Sequence, residues 1–289
     1  MAELRLQTYE DFSWPSFLAG LFRHNGLAVS LITAFSVALL VLLTLALQQP
    51  SAVFSTHTGE NAFYQVIPYG LMVVPFSALG LYVLAALGIG FVSFWRGIGG
   101  KMGDLGQLQA NARAMRDALQ LKYLDGGGYG CNYPDEHFSY IRRSLHHLVF
   151  YGFMLCLAST TAAAIYHHFL QWSAPYPFWS LPVILGTSGG AALLIGTGGL
   201  LYLKKHMDPE PATPRAFAMD AGLLVLLCMT SLTGLLLLFL RETPAMGVLL
   251  AVHLGVVAAL FAIMPYGKFV HGLYRYGALV RNASEQLRE

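Results

Sequence analysis

Long apolar runs with at most one charged residue each alternate with polar segments along the chain. Six of these apolar runs are long enough to cross a bilayer as helices, at a rise of about 1.5 Å per residue. The predicted spans cover residues 27–47, 72–94, 146–170, 183–203, 219–240 and 245–274. We therefore predict an all-α integral membrane protein whose six transmembrane helices form a bundle.

The pattern divides the chain into five parts. An amphipathic N-terminal segment, residues 1–26, precedes a transmembrane hairpin at 27–95 and a long polar loop at 96–143. A four-helix core at 144–275 and a polar tail at 276–289 follow. Large apolar side chains predict an interfacial helix in the first part. These side chains are Trp14, Phe17, Leu18, Leu21 and Phe22.

The long polar loop has two distinct sections. Residues 107–122 predict an exposed helix, and DGGGYGCNYPDE at residues 125–136 predicts a tight, glycine-rich turn. This turn lacks the Lys-Ser or Lys-Thr pair of a phosphate-binding loop. Nucleotide binding is therefore not predicted.

Basic residues indicate how the spans are oriented. Of the 17 lysine and arginine residues, all but Arg241 fall in the N-terminal segment, in the loops at 96–143 and 204–218, or near the C-terminal end. An excess of basic residues marks the cytoplasmic side of a membrane protein. We therefore expect both termini and the long loop to face the cytoplasm.

Composition narrows the class of protein. Hydrophobic residues make up 56% and charged residues 11% of the chain, whereas soluble domains have roughly a quarter charged residues. The net charge of +2 excludes the strongly basic balance of a nucleic-acid-binding protein. Only three cysteines are present, and a cubane iron–sulfur cluster usually needs four thiolates. This chain alone is therefore not expected to hold such a cluster.

The sixth apolar run carries two histidines, His253 and His271. They are eighteen positions apart, which is five whole turns at about 100° per residue. A straight helix would place both imidazoles on one face, roughly 27 Å apart along the axis. Pro265 lies between them and is expected to bend this helix.

The third apolar run has a histidine pair at each end and only apolar or small residues between the pairs. The pairs are His146 with His147 and His167 with His168. If this helix runs antiparallel to the sixth, the first pair lies at the depth of His271 and the second at the depth of His253. Two bis-histidine sites stacked across a bilayer are typical of a dihaem b-type cytochrome.

Haem iron suits these histidines better than zinc, because a zinc site prefers four ligands and they have no cysteine or acidic partners. We predict that His147 and His271 ligate a haem b on the cytoplasmic side. A second haem is predicted on His168 and His253. The other histidine of each pair remains an alternative ligand, and a single haem per chain remains open.

Basic residues gather at the cytoplasmic ends of the third and sixth runs. They are Arg142, Arg143, Lys268 and Arg275. Charge-assisted hydrogen bonds from such side chains would hold the propionates of a haem. Anchoring of the helix ends at the membrane surface explains the same residues equally well.

Glycine is frequent in the fourth apolar run. Small residues let two helices, or a helix and a flat macrocycle, come close together. Close helix packing is the simpler interpretation of these glycines, which are Gly186, Gly189, Gly190, Gly196, Gly198 and Gly199.

Several long motifs carry a resemblance to a known family. They are GGGYGCNYPDE at 126–136, RRSLHHLVFYGF at 142–153, APYPFWSLPVILGTSGG at 174–190, TPAMGVLLAVHLGV at 243–256 and MPYGKFVHGLYR at 264–275. The chain resembles, over essentially its whole length, the membrane domain of the tricarballylate-utilisation protein TcuB, the C-terminal part of CobZ and the citrate-utilisation protein CitB. The paired histidines are more loosely similar to those of respiratory nitrate reductase gamma subunits.

The resemblance implies an electron-transfer subunit of the bacterial inner membrane. Such a subunit takes electrons from a cytoplasmic FAD-dependent dehydrogenase similar to TcuA and reduces quinone in the lipid. Relatives carry a ferredoxin-like segment with cysteine clusters ahead of this domain. Iron–sulfur clusters and FAD are therefore expected on partner chains or on a missing N-terminal segment. The glycine-rich turn is expected to help dock the dehydrogenase.

Two functions of other classes compete with the cytochrome. A tricarboxylate transporter or permease would need charged binding groups at mid-membrane, and the predicted spans supply none there. A haem-free membrane anchor for a peripheral enzyme would carry no chromophore. The presence or absence of haem therefore separates the three interpretations.

Overall fold

The computed structural model describes residues 2–125, 128, 137–207 and 213–288. The glycine-rich turn predicted at 125–136 lies outside these residues except for Asp125 and Gly128. In the described part the α-helices are α1 (Ala2–Asp11), α2 (Ser16–Ala19), α3 (Asn25–Leu47), α4 (Pro50–Val53), α5 (Ala62–Val66), α6 (Tyr69–Gly97), α7 (Leu108–Leu119), α8 (Ile141–Phe169), α9 (Leu181–His206), α10 (Pro214–Phe239), α11 (Met246–Ile263) and α12 (Val270–Gln286).

Six helical segments are long and apolar enough to cross a membrane. They are Ser16–Leu47, Tyr69–Gly97, Ile141–Phe169, Leu181–His206, Pro214–Phe239 and Met246–Ile263. The first five agree with the predicted spans to within a few residues, apart from the short N-terminal helices that extend the first. The prediction of an all-α, six-span membrane protein is confirmed. We call the side that holds the end of α6, the start of α8 and all of α12 the basic side.

The sixth span differs from its prediction. The sequence predicts one helix over residues 245–274, but α11 ends at Ile263 and α12 begins at Val270. Pro265 has no N–H to continue the α-helical ladder, although Met264 before it still has helical dihedral angles. The amides of Tyr266 and Gly267 bond instead to the Ile263 carbonyl, at 3.0 and 2.9 Å. His253 and His271 therefore lie on separate helices, and the argument from one helical face does not hold.

The helix α11 is the most enclosed of the spans, with 50% of its most apolar 18-residue stretch buried. Glycines bring it close to its neighbours. A Cβ atom on Gly255 would lie 2.6 Å from the Cα of Val37 in α3, and one on Gly247 would collide with the Val53 carbonyl in α4. These contacts place α11 at the centre of the N-terminal half of the bundle.

The helices α8 and α9 pack together even more tightly. A Cβ atom on Gly189 would lie 2.8 Å from the Gly152 carbonyl oxygen, and one on Gly196 would lie 2.9 Å from the Leu145 carbonyl oxygen. Backbone therefore touches backbone along this pair. Most of the glycines of the fourth run serve helix packing, although Gly198 has open space around it.

The last helix covers the basic side of the bundle. Its residues Val280 and Ala283 pack on Trp95 of α6 and on Ala110 and Ala114 of α7. The predicted polar tail at 276–289 is therefore largely a packed helix. We call α1, α7, α12 and the end of α6 the basic-side layer, and it positions His271 beside the start of α8.

Candidate functional site

The structure brings one histidine from α8 and one from α12 together on the basic side. The ring centroids of His146 and His271 are 6.3 Å apart, with an angle of 68° between the ring planes. His147, the predicted ligand, turns away and stacks on Tyr151 at 5.8 Å. Of the two adjacent histidines, His146 is thus the one that meets His271.

The proton on His271 is fixed by its surroundings. Its Nδ1 lies 2.5 Å from the backbone carbonyl oxygen of Lys268. Because a carbonyl oxygen can only accept, Nδ1 carries the hydrogen and Nε2 keeps a free lone pair. Burial, helped by the nearby Lys268 ammonium, lowers the pKa of His271 to about 4. The ring is therefore neutral at physiological pH, which is the form that ligates metals.

The partner ring offers an unused nitrogen. Nδ1 of His146 is buried and has no hydrogen-bond partner among the described residues. Two imidazoles on one metal ion, with bonds of about 2 Å each, have ring centres roughly 6 Å apart. The His146–His271 spacing agrees with that value. Phe153 of α8 and Phe269, just before α12, pack against each other with ring centroids 5.4 Å apart.

Charged side chains surround this histidine pair. Arg142 and Arg275 lie one helical turn from His146 and His271 respectively, on the same helix faces. Arg143 points elsewhere and donates to the Gln120 carbonyl at 3.2 and 2.6 Å.

Lys268 forms an ion pair with Asp220, an acid that was not predicted as a site residue from the sequence. Its Nζ lies 2.9 Å from Oδ1 of Asp220 in α10. The other carboxylate oxygen of Asp220 accepts from Nζ of Lys204 in α9 at 2.8 Å. An acidic residue inside a predicted span is a signal that could have identified Asp220 from the sequence.

The histidine in the middle of α11 has a different environment. The ring of His253 lies against Gly234 of α10, where an added Cβ atom would be 3.0 Å from its Cε1. The Thr233 hydroxyl donates to the Met229 carbonyl at 2.8 Å, so it accepts from Nδ1 of His253 at 3.0 Å. Within the described part of the chain, no other histidine ring contacts His253.

The second histidine pair of α8 meets tyrosines. Tyr69 stacks on His167 at 4.0 Å and its hydroxyl lies 2.9 Å from Nε2 of His168. The Tyr64 hydroxyl lies 3.4 Å from Nδ1 of His167. The pairing of these histidines with His253 thus remains a prediction. No group of three or more histidine, cysteine, aspartate or glutamate side chains arranged to hold a metal ion occurs among the described residues.

Comparison with known proteins identifies the family. The model of the citrate utilization protein B family matches residues 20–289. Citrate utilization protein B of Escherichia coli is 45% identical over 290 residues, which cover 100% of this chain and 75% of that relative. No solved structure matches the chain. The chain belongs to the citrate utilization protein B family.

Proposed function

We propose that this protein is a b-type cytochrome subunit of the bacterial inner membrane that passes electrons to the quinone pool. The observation that carries the proposal is the His146–His271 pair, with its ring centroids 6.3 Å apart. Two neutral imidazoles at that distance have the spacing that a bis-histidine haem site would need. A bound haem would supply one-electron redox chemistry, which the protein side chains lack.

The residues around the pair have defined tasks in this proposal. The Lys268 carbonyl holds the Nδ1 proton of His271 and so leaves its Nε2 lone pair free, which would ligate a haem iron. Arg142 and Arg275, placed one turn away on each helix, are the candidates for the propionates.

The direction of electron flow rests on the orientation of the bundle and on the family. The basic side carries nearly all lysine and arginine residues, so we place it in the cytoplasm. An FAD-dependent dehydrogenase similar to TcuA would deliver electrons there through iron–sulfur clusters that are not in this chain. The family name points to citrate or a related tricarboxylate as the upstream compound.

The test is the haem content of the purified, detergent-solubilised protein. We expect a b-type signal in the dithionite-reduced minus oxidised spectrum and in a pyridine haemochrome assay. The variant His271→Ala should lose that haem, because one of the two histidines proposed to hold it would be absent. His206→Ala is the matched control, since among the described residues the His206 ring hydrogen-bonds to the Tyr202 carbonyl of its own helix. A well-folded protein without haem would contradict the proposal and favour the anchor or the transporter.

A further inference from the structure

The backbone carbonyl that orients His271 belongs to a residue whose side chain is tied to another helix. Lys268 occupies the turn between α11 and α12, and its carbonyl oxygen lies 2.5 Å from Nδ1 of His271. Its ammonium group is held by Asp220 of α10 at 2.9 Å. One residue therefore links a ligand of the proposed haem site to the body of the bundle.

The anchor point is itself fixed on both sides. Lys204 of α9 donates to Asp220 at 2.8 Å, and only 10% of the Lys204 side chain is exposed. The Lys268 side chain is 19% exposed and lies 5.6 Å from the centre of the Tyr9 ring in α1. Asp220 is thus the one carboxylate between two partly buried ammonium groups, and its removal would leave them facing each other without a counter-charge.

The turn that Asp220 holds is also fixed through Tyr266, whose hydroxyl contacts the Tyr82 hydroxyl and donates to the Trp14 carbonyl at 3.2 Å. The Asp220–Lys268 ion pair acts on a different residue of the turn, the one whose carbonyl meets His271. Residues 264–269 lie between two helices, where the helical ladder is broken by Pro265. A shift of this turn moves the Lys268 carbonyl and with it the hydrogen bond to His271. Second-shell hydrogen bonds of this kind set the orientation and the basicity of a ligating histidine.

We infer that Asp220 is a positioning residue, which orients His271 for metal ligation by holding Lys268 in place. The inference rests on the proposed haem site. It assigns a role to an acid that would otherwise count only as a helix-to-helix ion pair. It also changes the prediction that Lys268 holds a haem propionate, because its ammonium group pairs with Asp220 instead.

The test compares Asp220→Asn with two further variants. Asp220→Asn should transfer its haem to apomyoglobin roughly 10-fold faster than the unaltered protein, as second-shell losses do. The electron paramagnetic resonance g values of the oxidised haem should shift as well. Asp220→Glu should restore both properties. Asp117→Asn, which breaks the surface ion pair with Lys122, is the matched control and should change neither.

A double-variant cycle separates positioning from general stability. Lys268→Met keeps the carbonyl but frees the turn, so adding Asp220→Asn to it should cause no further change in the g values. If Asp220→Asn acted only by lowering the stability of the fold, its effect would be the same with and without Lys268→Met. Equal effects of Asp220→Asn with and without Lys268→Met, or unchanged g values, would overturn the inference.

A readout on haem-free protein keeps this test independent of the proposed function. Modification of His271 by diethyl pyrocarbonate, followed by mass spectrometry, should be several-fold faster in Asp220→Asn than in the unaltered protein. If no variant binds haem but this rate rises, the haem proposal fails and the link from Asp220 to His271 stands. If haem binds normally and the rate does not change, only the inference fails.

Discussion

At the scale of single residues, hydrogen-bond acceptors decide what the buried histidines can do. A backbone carbonyl holds the Nδ1 proton of His271, and the Thr233 hydroxyl holds that of His253. Both rings therefore present Nε2 as a free lone pair. The sequence shows that histidines recur on these segments, but it does not show which acceptors lie near them. Neither Lys268 as an acceptor nor Thr233 could be predicted.

The choice between His146 and His147 has the same origin. Adjacent helical residues point about 100° apart, so only the rotation of α8 decides which of them faces His271. That rotation is set by the contact of Gly152 with Gly189 of α9. The sequence predicted the depth of the pair, and only the packing identifies His146.

The role of His253 can be tested by counting haems. If it ligates a second haem with His167 or His168, the unaltered protein binds two haems per chain and His253→Ala binds one. A pyridine haemochrome assay against protein concentration gives both ratios. A ratio of one in both proteins would contradict the second haem and leave His253 as a structural partner of Thr233.

At the scale of elements, hydropathy predicted the helices well and the break in the last one poorly. The run that begins at residue 245 contains no charged residue through Gly267, and proline is tolerated inside transmembrane helices. The sequence therefore could not show whether the helix bends at Pro265 or ends there. The end of α11 at Ile263 matters because α12 is a separate helix that packs on α7.

The tight pairing of α8 with α9 gives a prediction about one glycine. Gly189→Ala places a methyl group within 2.9 Å of backbone atoms of Gly152 and Cys156, so the helices must separate. We expect this variant to lose about 1–3 kcal/mol of stability, as overpacked cores do, and to retain less haem. Thermal unfolding in detergent measures the first effect.

The matched control for this change lies in the same helix. Gly198→Ala adds the same methyl group where no atom lies within 4 Å. Its stability should be unchanged or slightly higher, because alanine favours a helix over glycine. Equal stability of the two variants would show that the contact between α8 and α9 at Gly189 does not control stability here.

At the scale of the whole molecule, the basic-side layer joins the two ends of the chain. Tyr9 of α1 and Tyr274 of α12 are each 5% exposed and pack with Phe94 of α6. Burial raises the pKa of both tyrosines to about 12. The positions of the spans were predictable from hydropathy, but this layer was not, because its contacts join residues more than 250 positions apart.

The layer gives a prediction at alkaline pH. Tyrosine in the unfolded chain has a pKa of about 10, so between about pH 10 and 12 the unfolded state loses protons that the folded state keeps. The unfolding free energy should therefore fall as pH rises through this window, by up to about 3 kcal/mol for each tyrosine. Tyr274→Phe should make the fall shallower in denaturation experiments. Tyr202→Phe, at an exposed site, should leave the slope unchanged.

The separation of α12 from the sixth span has a consequence for biogenesis. His146 enters the bilayer with the third span, whereas His271 follows all six and reaches it only when α12 folds onto α6 and α7. A growing chain can therefore complete its insertion before these two histidines meet. If the proposed haem binds between them, membrane integration and cofactor capture would be two successive events. Quality control would then act between them, on a protein that is fully inserted but still colourless.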